Sequence, residues 1–165
     1  MKIAGIIRDS IVNGQGIRDV IFVQGCPHRC KGCHNPQTWD FTKGEEKTIQ
    51  ELIDELKDSP NDITISGGEP FYYPIELCTL IGHMHWTYPK KTFWIYTGYK
   101  IEELNPNDLR FLSKCNVEVI VDGEYEEDKR DTSLRFRGSS NQRIIDLKQT
   151  VKCDYEQIVL WEDTE

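Results

Sequence analysis

The chain has 165 residues, 38% of them hydrophobic, with 28 acidic against 20 basic side chains and a net charge of −8. That length suits one domain with its own core but falls short of the ~250 residues typical of a closed eight-unit βα barrel. The acidic balance argues against a nucleic-acid-binding surface, and no apolar run approaches the ~18 residues that span a membrane.

In chain order, the apolar, β-branched runs Ile3–Ile7 and Val20–Gln24 predict strands. Thr48-Ile49-Gln50-Glu51 then reads as a capping box opening a helix. Its apolar positions Ile49, Leu52, Ile53 and Leu56 recur at helical spacing, so one face is buried. Ile63–Ser66 predicts a strand, and a helix follows from Pro74 to about Trp86, with Pro89 beyond its end. A strand at Thr92–Tyr96, a helix over Asn107–Cys115 and a strand at Val117–Val121 continue the alternation. Late strands are expected at Arg143–Leu147 and Ile158–Trp161, and the short tail from about residue 148 matches no motif. Strand–helix alternation with short turns gives parallel βα units. The expected fold is α/β, a single-domain open partial βα barrel of mostly parallel strands. Trp39, Trp86 and Trp94 are expected in the core, and the acidic run Glu124–Asp128 is expected as a solvated face.

Chemistry concentrates after the second strand. Cys26, Cys30 and Cys33 form a CxxxCxxC loop in the string Gly25-Cys26-Pro27-His28-Arg29-Cys30-Lys31-Gly32-Cys33-His34-Asn35. A structural metal site closes with four protein ligands, whereas three thiolates on a four-iron cluster leave one iron open for chemistry. On the residues alone two chemistries stay open: zinc completed by His28 or His34, or a cluster with an open iron. Cys78, Cys115 and Cys153 are scattered singly, and Met1-Lys2-Ile3-Ala4 opens no signal-peptide hydrophobic region. Reduced thiols and a cytoplasmic location are therefore expected. His83 and His85 lie two apart on a helix and face different directions, so they form no ligand pair.

A second element follows roughly one βα unit downstream, Ile63-Thr64-Ile65-Ser66-Gly67-Gly68-Glu69-Pro70, a short strand ending in a Gly-Gly-Glu-Pro turn. Glycines there let backbone N–H and C=O groups approach a ligand. The cysteine loop and this turn together resemble the radical S-adenosylmethionine enzymes. Further segments narrow the likeness: Asp9 to Arg18, His34-Asn35-Pro36-Gln37-Thr38-Trp39, Trp94 to Tyr99, Val121-Asp122-Gly123 and Arg137-Gly138-Ser139-Ser140-Asn141-Gln142-Arg143. With these, residues from about 9 to about 147 are similar to the glycyl-radical activating proteins of anaerobic ribonucleoside-triphosphate reductase. Activases of other glycyl-radical enzymes and small-molecule radical enzymes are the alternatives, and those relatives are usually longer. A non-enzymatic iron–sulfur or zinc module is a third.

The resemblance implies a 4Fe–4S cluster on Cys26, Cys30 and Cys33, with S-adenosyl-L-methionine on the open iron. Gly32, Cys33 and His34 match the segment that touches adenine, with His34 placed to stack on the ring. Gly67 and Gly68 match the turn at the methionine end. Relatives carry Glu or Asp at Glu69, both carboxylates. One electron from a reducing donor such as flavodoxin or ferredoxin cleaves the cofactor, and the 5′-deoxyadenosyl radical removes a hydrogen atom from a glycine of the large reductase subunit. The cofactor carries that chemistry, so no catalytic side chain is nominated. A short, open barrel leaves a mouth wide enough for a loop of the partner. Thr97 and Asp122, at strand ends, either bind the cofactor or end their strands. Asn13 and Arg18 are assigned to the rim or to docking. Arg135, Arg137, Asn141 and Arg143 either bind the reductase or hold the late strands.

Overall fold

β-Branched residues set the centre of the molecule. The computed structural model describes residues 1–164. Its elements in order are β1 (Lys2–Ser10), β2 (Arg18–Val23), β3 (Glu45–Glu46), α1 (Ile49–Leu56), β4 (Asp62–Gly67), α2 (Pro74–Thr87), β5 (Phe93–Tyr96), α3 (Pro106–Lys114), β6 (Val117–Asp122), β7 (Arg143–Asp146) and α4 (Leu147–Lys152). They build one seven-stranded sheet in the order β3-β1-β2-β4-β5-β6-β7. β2, β4, β5 and β6 run parallel, and α1, α2 and α3 supply the crossovers. The link from β1 to β2 is too short for a crossover helix, so those strands pair antiparallel, as do β6 and β7. The sheet is open rather than closed into a barrel, as expected.

Alternation along the parallel strands gives the sheet two unlike faces. Ile21, Ile63, Ile65, Phe93, Ile95 and Ile120 pack against Leu52 and Leu56 of α1, Leu77, Leu80, Ile81 and Met84 of α2, and Leu109 and Leu112 of α3. Thr64, Ser66, Trp94, Tyr96, Val119 and Val121 occupy the opposite face, where Trp94, Val119, Val121 and Phe136 form a second, smaller cluster. The capping box forms as expected: Thr48 Oγ1 accepts from the Glu51 N–H at 3.1 Å, and the Glu51 carboxylate accepts from the Thr48 N–H at 2.7 Å.

Two expectations need correction. Ile158–Trp161 is not a strand of the sheet; it meets β7 only through the Ile145–Leu160 bridge, and Trp161 turns onto Trp94 at 5.2 Å. The tail that matches no motif opens with α4, which follows β7 directly and buries Leu147 and Thr150. Trp86 is 88% exposed, since the buried stripe of α2 runs through Leu77, Leu80, Ile81 and Met84 and leaves position 86 outside. Trp94 is buried as expected.

Asp19, fully buried at the base of β2, ties the β1–β2 hairpin to the turn before β4. Its Oδ1 accepts from Asn61 Nδ2 at 2.8 Å and from the Asp9 N–H at 3.3 Å, and Arg8 pairs with Oδ2 at 3.3 Å. Burial pushes its pKa up, but the hydrogen bonds from Ser59, Asn61 and Asp9 and the charge of Arg8 outweigh burial and hold it below the usual range. A carboxylate lowered on folding stabilises above the unfolded-state range near ~4 and loses that contribution as pH falls through the folded value. Asp19→Asn is expected to cost about 1–2 kcal/mol at pH 7, with the gap to wild type closing towards pH ~3. Urea midpoints across pH check this; a gap that does not change with pH contradicts it.

Candidate iron–sulfur site

β2 ends at Val23 and the chain turns at once into the cysteine loop, so the loop leaves the C-terminal edge of the parallel strands, where open α/β sheets place their sites. Its base is fixed by the backbone: the Gly25 N–H donates to Thr38 O at 2.7 Å and the Cys26 N–H to Trp39 O at 3.2 Å. Cys26 is buried, Cys30 and Cys33 are half-buried, and all six cysteines of the chain are free thiols. The Cys33 N–H donates to Cys30 O at 3.1 Å, closing a tight turn between two of the three. Among the described residues no three His, Cys, Asp or Glu side chains are already drawn into a metal-holding group.

The donor set suits a thiophilic metal. Burial raises the Cys26 pKa, and burial followed by the charge of Glu124 pushes the Cys30 thiol up to about 11. The charges of the three thiolates also oppose one another, because Cys26 feels Cys33 and Cys30 feels both. Thiols in this setting stay protonated until a cation offsets their charge, so metal uptake and proton release are coupled. His28 is not offered as a fourth ligand. His28 has both ring nitrogens engaged by carboxylates, Nε2 to Glu69 Oε2 at 2.8 Å and Nδ1 to Glu124 Oε1 at 2.9 Å. His34 lies against Tyr125, ring centroids 5.0 Å apart.

Sequence reasoning passed over the centre of this arrangement, Glu69. Its side chain is wholly buried and accepts four hydrogen bonds. Oε1 takes the Phe71 N–H at 2.9 Å and the Thr97 hydroxyl at 2.8 Å; Oε2 takes the Gly98 N–H at 2.8 Å and His28 Nε2. One carboxylate thus joins the cysteine loop, the turn after β4 and the end of β5. The hydrogen bond to Glu69, stronger than the opposing effect of burial, raises the His28 pKa and favours the imidazolium that can donate at both nitrogens. The available signal was an acid in an apolar turn, Gly67-Gly68-Glu69-Pro70-Phe71, with no cation beside it in sequence.

The glycine turn packs on the loop. Gly67 has φ +100°, and a Cβ there would meet the Val23 backbone at 2.6 Å. A Cβ on Gly68 would collide with the Gly25 carbonyl oxygen. The Gly68 N–H donates to Val23 O and the Glu69 N–H to Gly25 O, both at 2.8 Å. Gly32 is exposed beside Glu127. Thr97 is taken by Glu69. Asp122 is held by the Ile101 N–H at 2.8 Å and by Arg143, which also grips Glu102. Both therefore stitch strand ends. Asn141 and Gln142 fasten their own loop, donating to Glu124 O at 2.7 Å and Gly123 O at 3.1 Å. Arg18 lies buried beneath, over Trp94 at 5.3 Å, and Asn13 O accepts from the Thr64 hydroxyl.

Above the sheet edge opens a cleft of about 600 Å³. Cys33 and His34 line it together with Ser66 and Tyr96 of the sheet and Leu134 and Arg137 of the loop before β7. One thiol of the loop, Cys33, therefore stands on the wall of a cavity large enough for a small molecule and open to a larger partner.

A family model described as a 4Fe-4S single cluster domain matches residues 12–145, which places the chain among proteins that carry one such cluster. Proteins named anaerobic ribonucleoside-triphosphate reductase-activating protein are similar along most of their length. The one from Pasteurella multocida (strain Pm70) is 37% identical over 148 residues, 84% of this chain and 93% of its own. That of Escherichia coli (strain K12) is 37% identical over 147 residues, 84% and 94%, and that of Enterobacteria phage T4 is 39% identical over 139 residues, 81% and 86%. The chain belongs to the family of anaerobic ribonucleoside-triphosphate reductase-activating proteins.

Glu69→Gln puts an amide N–H₂ where four donors converge. It is expected to cost about 2–4 kcal/mol of stability and to lower iron retention, checked by denaturant titration and iron analysis. Gly68→Ala is expected to displace Gly25 and reduce cluster content together with stability. Full iron loading in a well-folded Gly68→Ala protein contradicts the packing role of that turn.

Proposed function

We propose that the protein is a glycyl-radical activating enzyme that acts on the anaerobic ribonucleoside-triphosphate reductase in the cytoplasm. The observation that carries the reading is the opening of a three-thiol loop, held by the turn after β4, into a cleft at the C-terminal edge of the sheet. Cys26, Cys30 and Cys33 would hold the 4Fe–4S cluster and leave one iron for S-adenosylmethionine. Bound together, the two supply one-electron cleavage of a carbon–sulfur bond, and with it the power to take a hydrogen atom from a glycine Cα.

The chain's own residues bind and orient. Gly32, Cys33 and His34 are assigned to the adenine end of S-adenosylmethionine, supported by the place of Cys33 and His34 on the cleft wall. His34 would exchange its contact with Tyr125 for the adenine ring, or share it. Gly67 and Gly68 are assigned to the methionine end. With the N–H groups of Gly68 and Glu69 already engaged, that turn offers its carbonyl oxygens to an ammonium group. Glu69 and His28 fix the cysteine loop so that the cofactor meets a preset wall. The open mouth admits a segment of the reductase, which completes the enclosure. The electron comes from a small donor such as flavodoxin or ferredoxin. Six free thiols fit a reducing compartment, and among the described residues no helix is long and apolar enough to cross a membrane.

Cys26→Ala, Cys30→Ala and Cys33→Ala are each expected to abolish iron and sulfide incorporation, while Cys78→Ala, Cys115→Ala and Cys153→Ala retain it. The decisive test mixes reduced, cluster-loaded protein, S-adenosylmethionine and the reductase without oxygen. Electron paramagnetic resonance should show a lasting glycyl radical on the reductase, and deuterium from the target glycine should enter 5′-deoxyadenosine. A loaded sample giving neither radical nor transfer defeats the assignment.

A further inference from the structure

The cleft has a charge pattern at odds with the rest of the chain. In a protein with 28 acidic residues and a net charge of −8, no Asp or Glu is among the described residues that line it, although Asp163 pairs with Arg135, which does. Arg137 lines the same cleft as Cys33 and His34. Its guanidinium donates only to backbone carbonyls, Gln142 O at 2.6 Å and Ser140 O at 3.4 Å, and among the described residues no carboxylate pairs with it. Asp131 feels its charge only through space, as the weakest influence on that carboxyl. The two carbonyls fix the group in place and leave its charge unneutralised. A half-buried cation of this kind on a cavity wall is prepared for an anion.

A second feature adjoins it. The β1–β2 hairpin loop raises Ile11 and Val12, 70% and 69% exposed, onto the rim of the same cleft, near Leu134. Two exposed aliphatic side chains side by side on a cavity rim fit an apolar group of a partner rather than water. Beside Arg135, which is paired with Asp163, the cleft therefore offers in Arg137 a cationic contact that no carboxylate of the described residues pairs with, and one apolar lip.

We propose that Arg137, with Ile11 and Val12, forms the recognition surface for the reductase segment that bears the target glycine. Arg137 takes a carboxylate of that segment, from a side chain or a chain end, and the Ile11–Val12 lip takes an apolar side chain beside it. Arg137 is then a specificity-determining residue for the partner, and with no Asp or Glu among the described lining residues and Asp163 paired to Arg135, little there repels an acidic segment. This rests on the activase reading above.

The test is the affinity of anaerobic, cluster-loaded protein for the reductase, measured by titration calorimetry at two salt concentrations, with S-adenosylmethionine affinity measured in parallel. Arg137→Gln is expected to weaken reductase binding about 10- to 100-fold and to flatten its salt dependence, with partial recovery in Arg137→Lys. Ile11→Ser with Val12→Ser, exposed positions whose replacement leaves the fold in place, is expected to weaken it about tenfold without altering the salt dependence. Unchanged reductase affinity in both Arg137→Gln and the double variant overturns the proposal. So does an Arg137→Gln protein that loses S-adenosylmethionine affinity but keeps the reductase, since the arginine would then serve the cofactor. If wild-type protein neither binds nor activates the reductase, the activase reading itself fails; if wild type does both and the variants match it, only this inference fails.

Discussion

One buried carboxylate holds the site together. Glu69 has no exposed surface and satisfies its charge with four donors from three separate segments. Burying such a group unpaired would cost several kcal/mol, so each donor is under pressure to stay in place. His28 is drawn to it from the cysteine loop, Thr97 and Gly98 from the end of β5, and the Phe71 N–H from the turn that carries Glu69 itself. Because His28 also reaches Glu124 through its other nitrogen, the segment after β6 is tied to the same centre. The cysteine loop thus hangs between two carboxylates, one buried and one at the surface.

The sheet explains why that centre can coexist with an open cleft. Its helix-covered face carries the large aliphatic cluster and most of the burial. The opposite face needs little stabilisation of its own. Trp94, Phe136 and Trp161 close it at one end, and Tyr96 fastens the covering loop by donating its hydroxyl to Phe136 O at 2.6 Å. The other end is left to the cleft. Antiparallel edges contribute as well: β1 and β7 extend the sheet without adding helices on the cleft face, so the mouth stays wide.

What was legible in the sequence was local. The capping box at Thr48 and the apolar stripe of α1 each depend on residues within about two helical turns, and each formed as read. The order of parallel strands followed from alternation, which is also a near-neighbour pattern. What escaped depends on contacts far apart in the chain. His28 and Glu69 are 41 residues apart and His28 and Glu124 are 96 apart, so no spacing rule joins them. Arg143 finds Asp122 across two antiparallel strands, a clasp at the strand end that no near-neighbour pattern announces. Trp86 was misplaced because hydrophobicity alone does not say which side of α2 faces the sheet. The last predicted strand, Ile158–Trp161, has the right residue types, but the intervening α4 returns the chain to β7 for only one bridge.

The same long-range contacts bear on how the thiols acquire a metal. Burial and neighbouring negative charge keep Cys26 and Cys30 protonated in the metal-free chain, so the loop does not present preformed thiolates. Its backbone is nevertheless fixed, at Gly25 and Cys26 by the carbonyls of Thr38 and Trp39 and at His28 by Glu69. Side chains are therefore left to close on the metal while the main chain stays where the cleft needs it. Such a division suits an enzyme whose cluster must face both a small cofactor and a partner protein. Rigid main chain preserves the approach geometry, and loss of thiol protons on metal binding makes the filled state the one in which the loop's charges are balanced.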